Sequence, residues 1–292
     1  MNDGKFRRVL ALLAAAAAMA SGAAGAEPAL WSVSGRDNTV YLFGSVHVLP
    51  QGGFAIEGKL ADAWKDAEKL CLEIDSGALS DEEMQRITLA RAVDPEGRDL
   101  FALLGPELER AQAAAAAAGV PLEALLQFEP WFAGMMLSVM ALQAHGFDIE
   151  HGVENIIETA ADTDRKPVCA FETADGQLSL FDDMPIEQQR KFLIQSIEEV
   201  SEVKGDMDKM LVAWRAGDEA AMHRLLIEDF VGYSDLAEVL IFRRNERWAD
   251  QVSEMLDSSQ EDVLVVVGTG HLVGERGLPE LLRKRGYKVA RN

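Results

Sequence analysis

The chain is poor in cysteine, with two in 292 residues, and neither has the Cys-x-x-Cys neighbour of a redox motif or zinc knuckle. It contains no Gly-x-Ser-x-Gly elbow, so a hydrolase built on that serine nucleophile is not indicated. No His-x-x-x-His spacing occurs among its five histidines. Positive charge is scarce: 28 lysines and arginines face 49 aspartates and glutamates, for a net charge of −21. A surface so acidic repels nucleic acid and anionic membranes, and serves chiefly to keep the protein soluble. After the first 26 residues no apolar run reaches the roughly 20 residues that a membrane-spanning helix requires, and no stable membrane insertion is expected.

The N-terminus does contain an apolar run. Lys5, Arg7 and Arg8 precede the stretch from Val9 to Ala20, and small residues follow to Ala24-Gly25-Ala26. This is the layout of a cleavable secretory signal cut near Ala26, and no cysteine lies there to take a lipid. The expectation is a periplasmic or secreted protein whose residues 27–292 form a single domain. Cys71 and Cys169 lie in apolar strand-like runs and read as two buried free thiols, because neighbouring strands usually offer poor disulfide geometry.

Short β-branched runs at Leu30–Ser34, Thr39–Phe43, Leu70–Ile74, Pro167–Phe171, Val263–Val267 and Tyr287–Ala290 predict strands, the first two joined by a turn at Gly35-Arg36-Asp37-Asn38. Val263–Val267 is apolar throughout, as expected of a strand covered on both faces. Between the runs lie helical patterns: a capping box from Ser80 to Glu83, a helix from Pro106 to a stop at Gly119, and an apolar helix from Trp131 to Ala144. The stretch from Pro185 to Leu256 is almost wholly helical, with no linker around it. The fold class is therefore α/β, a central mixed sheet flanked by helices, with a long helical insertion at about 185–256 forming a lid or wall.

The chemistry is signalled by an internal echo. Tyr41-Leu42-Phe43-Gly44-Ser45-Val46-His47-Val48-Leu49 and Val265-Val266-Val267-Gly268-Thr269-Gly270-His271-Leu272-Val273 both read as strand, glycine, hydroxyl, any residue, histidine and two apolar residues. A glycine directly after a strand permits a sharp turn or a close approach, and the histidine arrives at the carboxyl edge of the sheet, where ligands of open α/β sheets bind. Two further strands end in acids, Glu73 and Glu172. A buried carboxylate must be paired or bind a cation. Two imidazoles with one or two carboxylates, namely His47, His271, Glu73 and Glu172, would suit a divalent ion such as Zn, Mn, Fe or Co, able to activate water. Arg244, on a helix with Arg243 and Arg247, is a candidate for holding an oxyanion. Ser45 and Thr269 read as residues that hold the histidine loops rather than as nucleophiles. His145, His151 and His223 read as surface or structural.

Together, Leu42-Phe43-Gly44-Ser45-Val46-His47-Val48-Leu49-Pro50, Leu72-Glu73-Ile74-Asp75, Phe171-Glu172-Thr173 with Gln177, Trp214-Arg215-Ala216-Gly217-Asp218, Arg244-Asn245 and Val267-Gly268-Thr269-Gly270-His271-Leu272 resemble the TraB/GumN family, in order from about Leu30 to the C-terminus. The resemblance implies a fold shared with the TIKI metalloproteases and, more distantly, with erythromycin esterases and a haem-binding lipoprotein group. It makes His47 and His271 the paired histidines of two Gly-x-x-His motifs, and Glu73 their acidic partner. In the TIKI group such residues support cation-dependent peptide hydrolysis; in the esterases a histidine and a glutamate activate water. Where the family has Gly-Val-Asp, this chain has Gly152-Val153-Glu154, which keeps the charge and moves it by one methylene. The expected function is an exported metal-dependent hydrolase of a peptide, amide or ester bond, acting on a small-molecule or peptide substrate. The alternative is a protein that captures haem, a metal or a small ligand in the same cleft.

Overall fold

The computed structural model describes residues 27–228 and 234–292; the leader read at residues 1–26 lies outside them. Two compact units divide the chain. The larger takes the described residues up to Asp75, then Phe147–Phe171 and Asp206–Asn292. The smaller takes Ser76–Gly146 and Glu172–Gly205.

The larger unit is built on a six-stranded mixed sheet. Its strands are β1 (Leu30–Ser34), β2 (Thr39–Ser45), β4 (Lys69–Ile74), β6 (Val168–Glu172), β7 (Val263–Gly268) and β8 (Lys288–Arg291), in the order β6-β4-β7-β2-β1-β8. Two short strands, β3 (Leu49–Pro50) and β5 (Phe147–Asp148), pair separately and antiparallel. The turn after β1 closes the expected hairpin, with Gly35 N–H donating to the Asn38 carbonyl. Every residue of β7 is buried, as its unbroken apolar sequence requires for a strand covered on both faces. β2 and β4 flank β7 and run parallel to it, so their carboxyl ends share one edge of the sheet. In that register Ser45 lies beside Gly268, which places the two echoed loops next to each other.

One face of this sheet packs on the helix Arg243–Ser258, whose Trp248, Ala249, Val252 and Leu256 join Leu42, Val265, Val267 and Phe171 in a common core. Those four helix positions recur at intervals of one, three and four, one apolar stripe on an otherwise charged helix.

Cys71 and Cys169 are joined in a disulfide across β4 and β6, correcting the expectation of free thiols. Their Cα atoms are 4.5 Å apart, inside the range that a disulfide spans, so this strand pair supplies the geometry that neighbouring strands usually withhold.

The smaller unit is helical. Its helix Asp81–Ala92 opens with the capping box, Ser80 accepting from Glu83 N–H while Glu83 reaches back to the Ser80 backbone. Leu108–Ala118 ends at Gly119, which takes the left-handed conformation. The apolar helix Pro130–Gln143 is buried through Trp131, which stacks on Phe181 of Ala174–Asp182 with ring centroids 5.8 Å apart. The helical stretch 185–256 is shared between the units: Ile186–Glu199 lies in the smaller, whereas Glu219–Leu226 and Arg243–Ser258 lie in the larger. Among the described residues no helix is long and apolar enough to cross a membrane.

Candidate functional site

At the carboxyl edge of the parallel strands, β2 runs into the His47 loop, β7 into the His271 turn, and β4 ends with Glu73. Two glycines permit the close approach. A Cβ on Gly44 would stand 2.7 Å from Thr269 Oγ1, and one on Gly268 would stand 3.2 Å from Glu73 Oε1 and 3.3 Å from His47 Nε2. A side chain at Gly44 would displace Thr269, and one at Gly268 would crowd Glu73 and His47. The hydroxyls bind the loops together: Thr269 Oγ1 donates to the Ser45 carbonyl at 2.8 Å, and Ser45 Oγ donates to Glu154 Oε1.

Glu154 occupies the first turn of the helix Val153–Asp164, where the helix dipole favours a negative charge. That helix is tied to the loop it serves, since Val153 N–H donates to the Val46 carbonyl at 3.1 Å. Glu154 Oε1 lies 2.7 Å from His47 Nδ1, while 41% of the His47 side chain stays exposed. The Glu154 charge, outweighing the cost of burial, pushes the His47 pKa up to about 9. Burial opposes ionisation of Glu154, but the His47 charge and the bonds from His47 and Ser45 hold its carboxyl below the usual range.

The deeper half of the site is buried. Glu73 accepts from Gly268 N–H through Oε1 at 2.7 Å and from Arg244 Nη2 through Oε2 at 2.5 Å. Burial works against its charge, yet Arg244 and the two histidines prevail and hold the carboxyl well below its ordinary range. Arg244 is aimed by three more contacts. Its Nη1 donates to the Leu240 carbonyl at 2.9 Å and lies 3.2 Å from His271 Nε2, and its guanidinium stacks 4.5 Å over the Trp248 ring. Leu240 belongs to a π-helical turn, Glu238–Phe242, an irregularity frequent at functional sites. Burial depresses the His271 pKa to about 3, so this ring is neutral at pH 7.

His47, Glu73, His271 and Arg244 therefore converge, with Gly44, Ser45, Glu154, Gly268 and Thr269 supporting them. Glu172 closes β6, the outermost strand of the sheet, and is half-buried. The expected metal set of His47, Glu73, His271 and Glu172 does not fit a cation as arranged. Both Glu73 oxygens and His271 Nε2 already face N–H donors, and the Arg244 charge lies against two of the four expected ligands. Among the described residues no group of three or more histidines, cysteines or acids is placed to hold a metal. Sequence reasoning assigned no role to Asn245 or Trp248. Asn245 figured only as the neighbour of Arg244, and Trp248 looks like any core position on an amphipathic helix.

Fold and site define an α/β protein in which two Gly-x-x-His loops meet beside a buried arginine–glutamate pair. The chain belongs to the TraB/PrgY/gumN family, whose profile matches residues 29–291. It is 23% identical over 244 residues to the uncharacterized protein YbaP of Escherichia coli (strain K12), covering 83% of this chain and 87% of that one, with the same figures for YbaP of Shigella flexneri. A metalloprotease TIKI homolog of Amphimedon queenslandica is 30% identical over 82 residues, which is 28% of this chain and 14% of that protein. No solved structure matches.

Proposed function

We propose that this protein is an exported hydrolase of peptide, amide or ester bonds, with His47 as the general base that takes a proton from the attacking water. The observation that carries this reading is the orientation of His47: Nδ1 is held by Glu154, itself held by Ser45, while the half-exposed ring leaves Nε2 to act. A base fixed by a carboxylate behind it is the arrangement that general-base catalysis needs. Support for hydrolysis as the reaction class comes from the partial likeness to a protein named a metalloprotease. Since Glu73 and His271, two of the donors expected to bind a cation, are engaged with Gly268 and Arg244, the reading assigns the proton transfer to side chains and routes no step through a metal. Arg244 serves here as the counter-charge that keeps Glu73 ionised. Export is part of the proposal, supported by the basic-then-apolar leader and by a disulfide of the kind that persists in oxidising compartments.

The test is hydrolysis of generic p-nitrophenyl esters and casein-derived peptides by the purified protein. General-base catalysis contributes about 10²–10⁴-fold, so His47→Ala should lose at least about a hundredfold in kcat/KM. With His47 protonated below about 9, kcat/KM should climb about tenfold per pH unit towards that value, and a chelator should leave it unchanged. A His47→Ala protein as active as the parent, or a parent that cleaves nothing, overturns the reading. A Soret band on haem addition without turnover would put ligand capture in its place.

A further inference from the structure

Asn245 is fully buried, and both ends of its amide are engaged. Its Nδ2 donates to the backbone carbonyls of His271 at 3.2 Å and Arg276 at 2.8 Å. Two acceptors on one side fix which way the amide points, so Oδ1 is the atom that faces His271 Nδ1, 2.6 Å away. An amide oxygen can only accept, which requires the hydrogen on Nδ1. A neutral imidazole carries one N–H, so Nε2 presents a lone pair, and the group 3.2 Å from it, Arg244 Nη1, can only donate. The opposite tautomer would set two lone pairs face to face at Asn245 and two N–H groups face to face at Arg244, inside a site with no room to turn away.

We propose that Asn245 is a positioning residue that selects the Nδ1–H tautomer of His271 and, through that ring, aims the Arg244 guanidinium at Glu73. The chain of bonds then runs from two backbone carbonyls through Asn245, His271 and Arg244 to the carboxylate, with every donor meeting an acceptor. Its consequence is a division of labour between the echoed motifs. In the hydrolase reading His47 is the ring that exchanges protons, whereas the Nε2 lone pair of His271 is already committed to Arg244. The effect on turnover rests on the hydrolase reading; the tautomer does not.

Protein labelled with ¹⁵N at histidine, examined by long-range ¹H–¹⁵N spectroscopy at pH 7 with His271 assigned through His271→Gln, reads the tautomer directly. The expected spectrum has Nδ1 protonated and Nε2 of the unprotonated, pyridine type. Asn245→Leu should lose that signature and at least tenfold in the rate of ester hydrolysis, while Asn245→Asp, which still offers an acceptor, should keep Nδ1 protonated. A parent spectrum showing Nε2–H overturns the proposal even if Asn245→Leu fails to fold, and so does an unchanged signature in a folded Asn245→Leu. If the parent hydrolyses nothing but shows the Nδ1–H signature, the proposed reaction falls and the role of Asn245 stands.

Discussion

His47 and His271 occupy matching places in similar loops, yet their surroundings drive them in opposite directions. Glu154 at 2.7 Å favours the charged form of His47, whereas burial beside a guanidinium disfavours the charged form of His271. If the Glu154 charge is the dominant cause, Glu154→Gln keeps the size and removes the cause. The His47 titration midpoint, followed by NMR, should then fall from about 9 towards an ordinary imidazole value, near 6.5. The rising limb of any pH–rate profile should move with it. A midpoint unmoved by the substitution would mean that Glu154 does not set the charge of His47. The longer side chain at position 154, read in the sequence as a displaced carboxylate, thus still reaches the ring.

At the scale of elements, the helix Arg243–Ser258 connects packing to chemistry. Trp248 stacks on Phe171 at 5.2 Å and lies 4.4 Å from the His271 ring, on the same helix that carries Arg244 and Asn245. Trp248→Ala should cost about 3–5 kcal/mol in denaturant unfolding, the range for a large buried aromatic. Trp248→Phe should cost less than half of that, since it keeps the stack and removes an indole N–H that has no partner among the described residues. Equal losses in the two variants would show that the stack contributes nothing. The elements that the sequence revealed best were those with a mark in a few adjacent residues: the hairpin, the all-apolar β7, the capping box and the Gly-x-x-His echo. Strand pairing across distant segments has no such local mark. The partner of Cys71 depends on β6 lying beside β4, and the role of Asn245 depends on a turn 26 residues further along the chain. The group beside the expected metal donors was hidden for a related reason. Residue types suitable for a cation were legible, and Arg244 was legible as a candidate for an oxyanion, but its bond to Glu73 joins positions 171 residues apart and has no local mark.

For the whole molecule, the opposed histidines give stability a maximum. Stability linked to His47 is full below the unfolded imidazole value of about 6.5 and is lost as pH rises through about 9, where the folded site gives up its proton. His271 acts in the other sense: below about 6.5 the unfolded chain takes a proton that the buried ring refuses until about 3, so its contribution is lost as pH falls. Glu73 and Glu154, both held below the ordinary carboxylate value, add a further loss on the acid side. The melting temperature should therefore peak near pH 6.5 and fall on either side; a curve that is level from pH 4 to pH 9 would contradict the shifts.

The disulfide joins residues separated by 98 positions, and Ser76–Gly146, most of the helical unit, is strung between them. Covalently, that unit hangs on a closed ring whose clasp sits two residues before Glu73. A single backbone cut anywhere in the ring turns it into a linear strip without setting either piece free, so the strand that carries the buried acid stays fastened to its neighbour until a reductant opens the clasp.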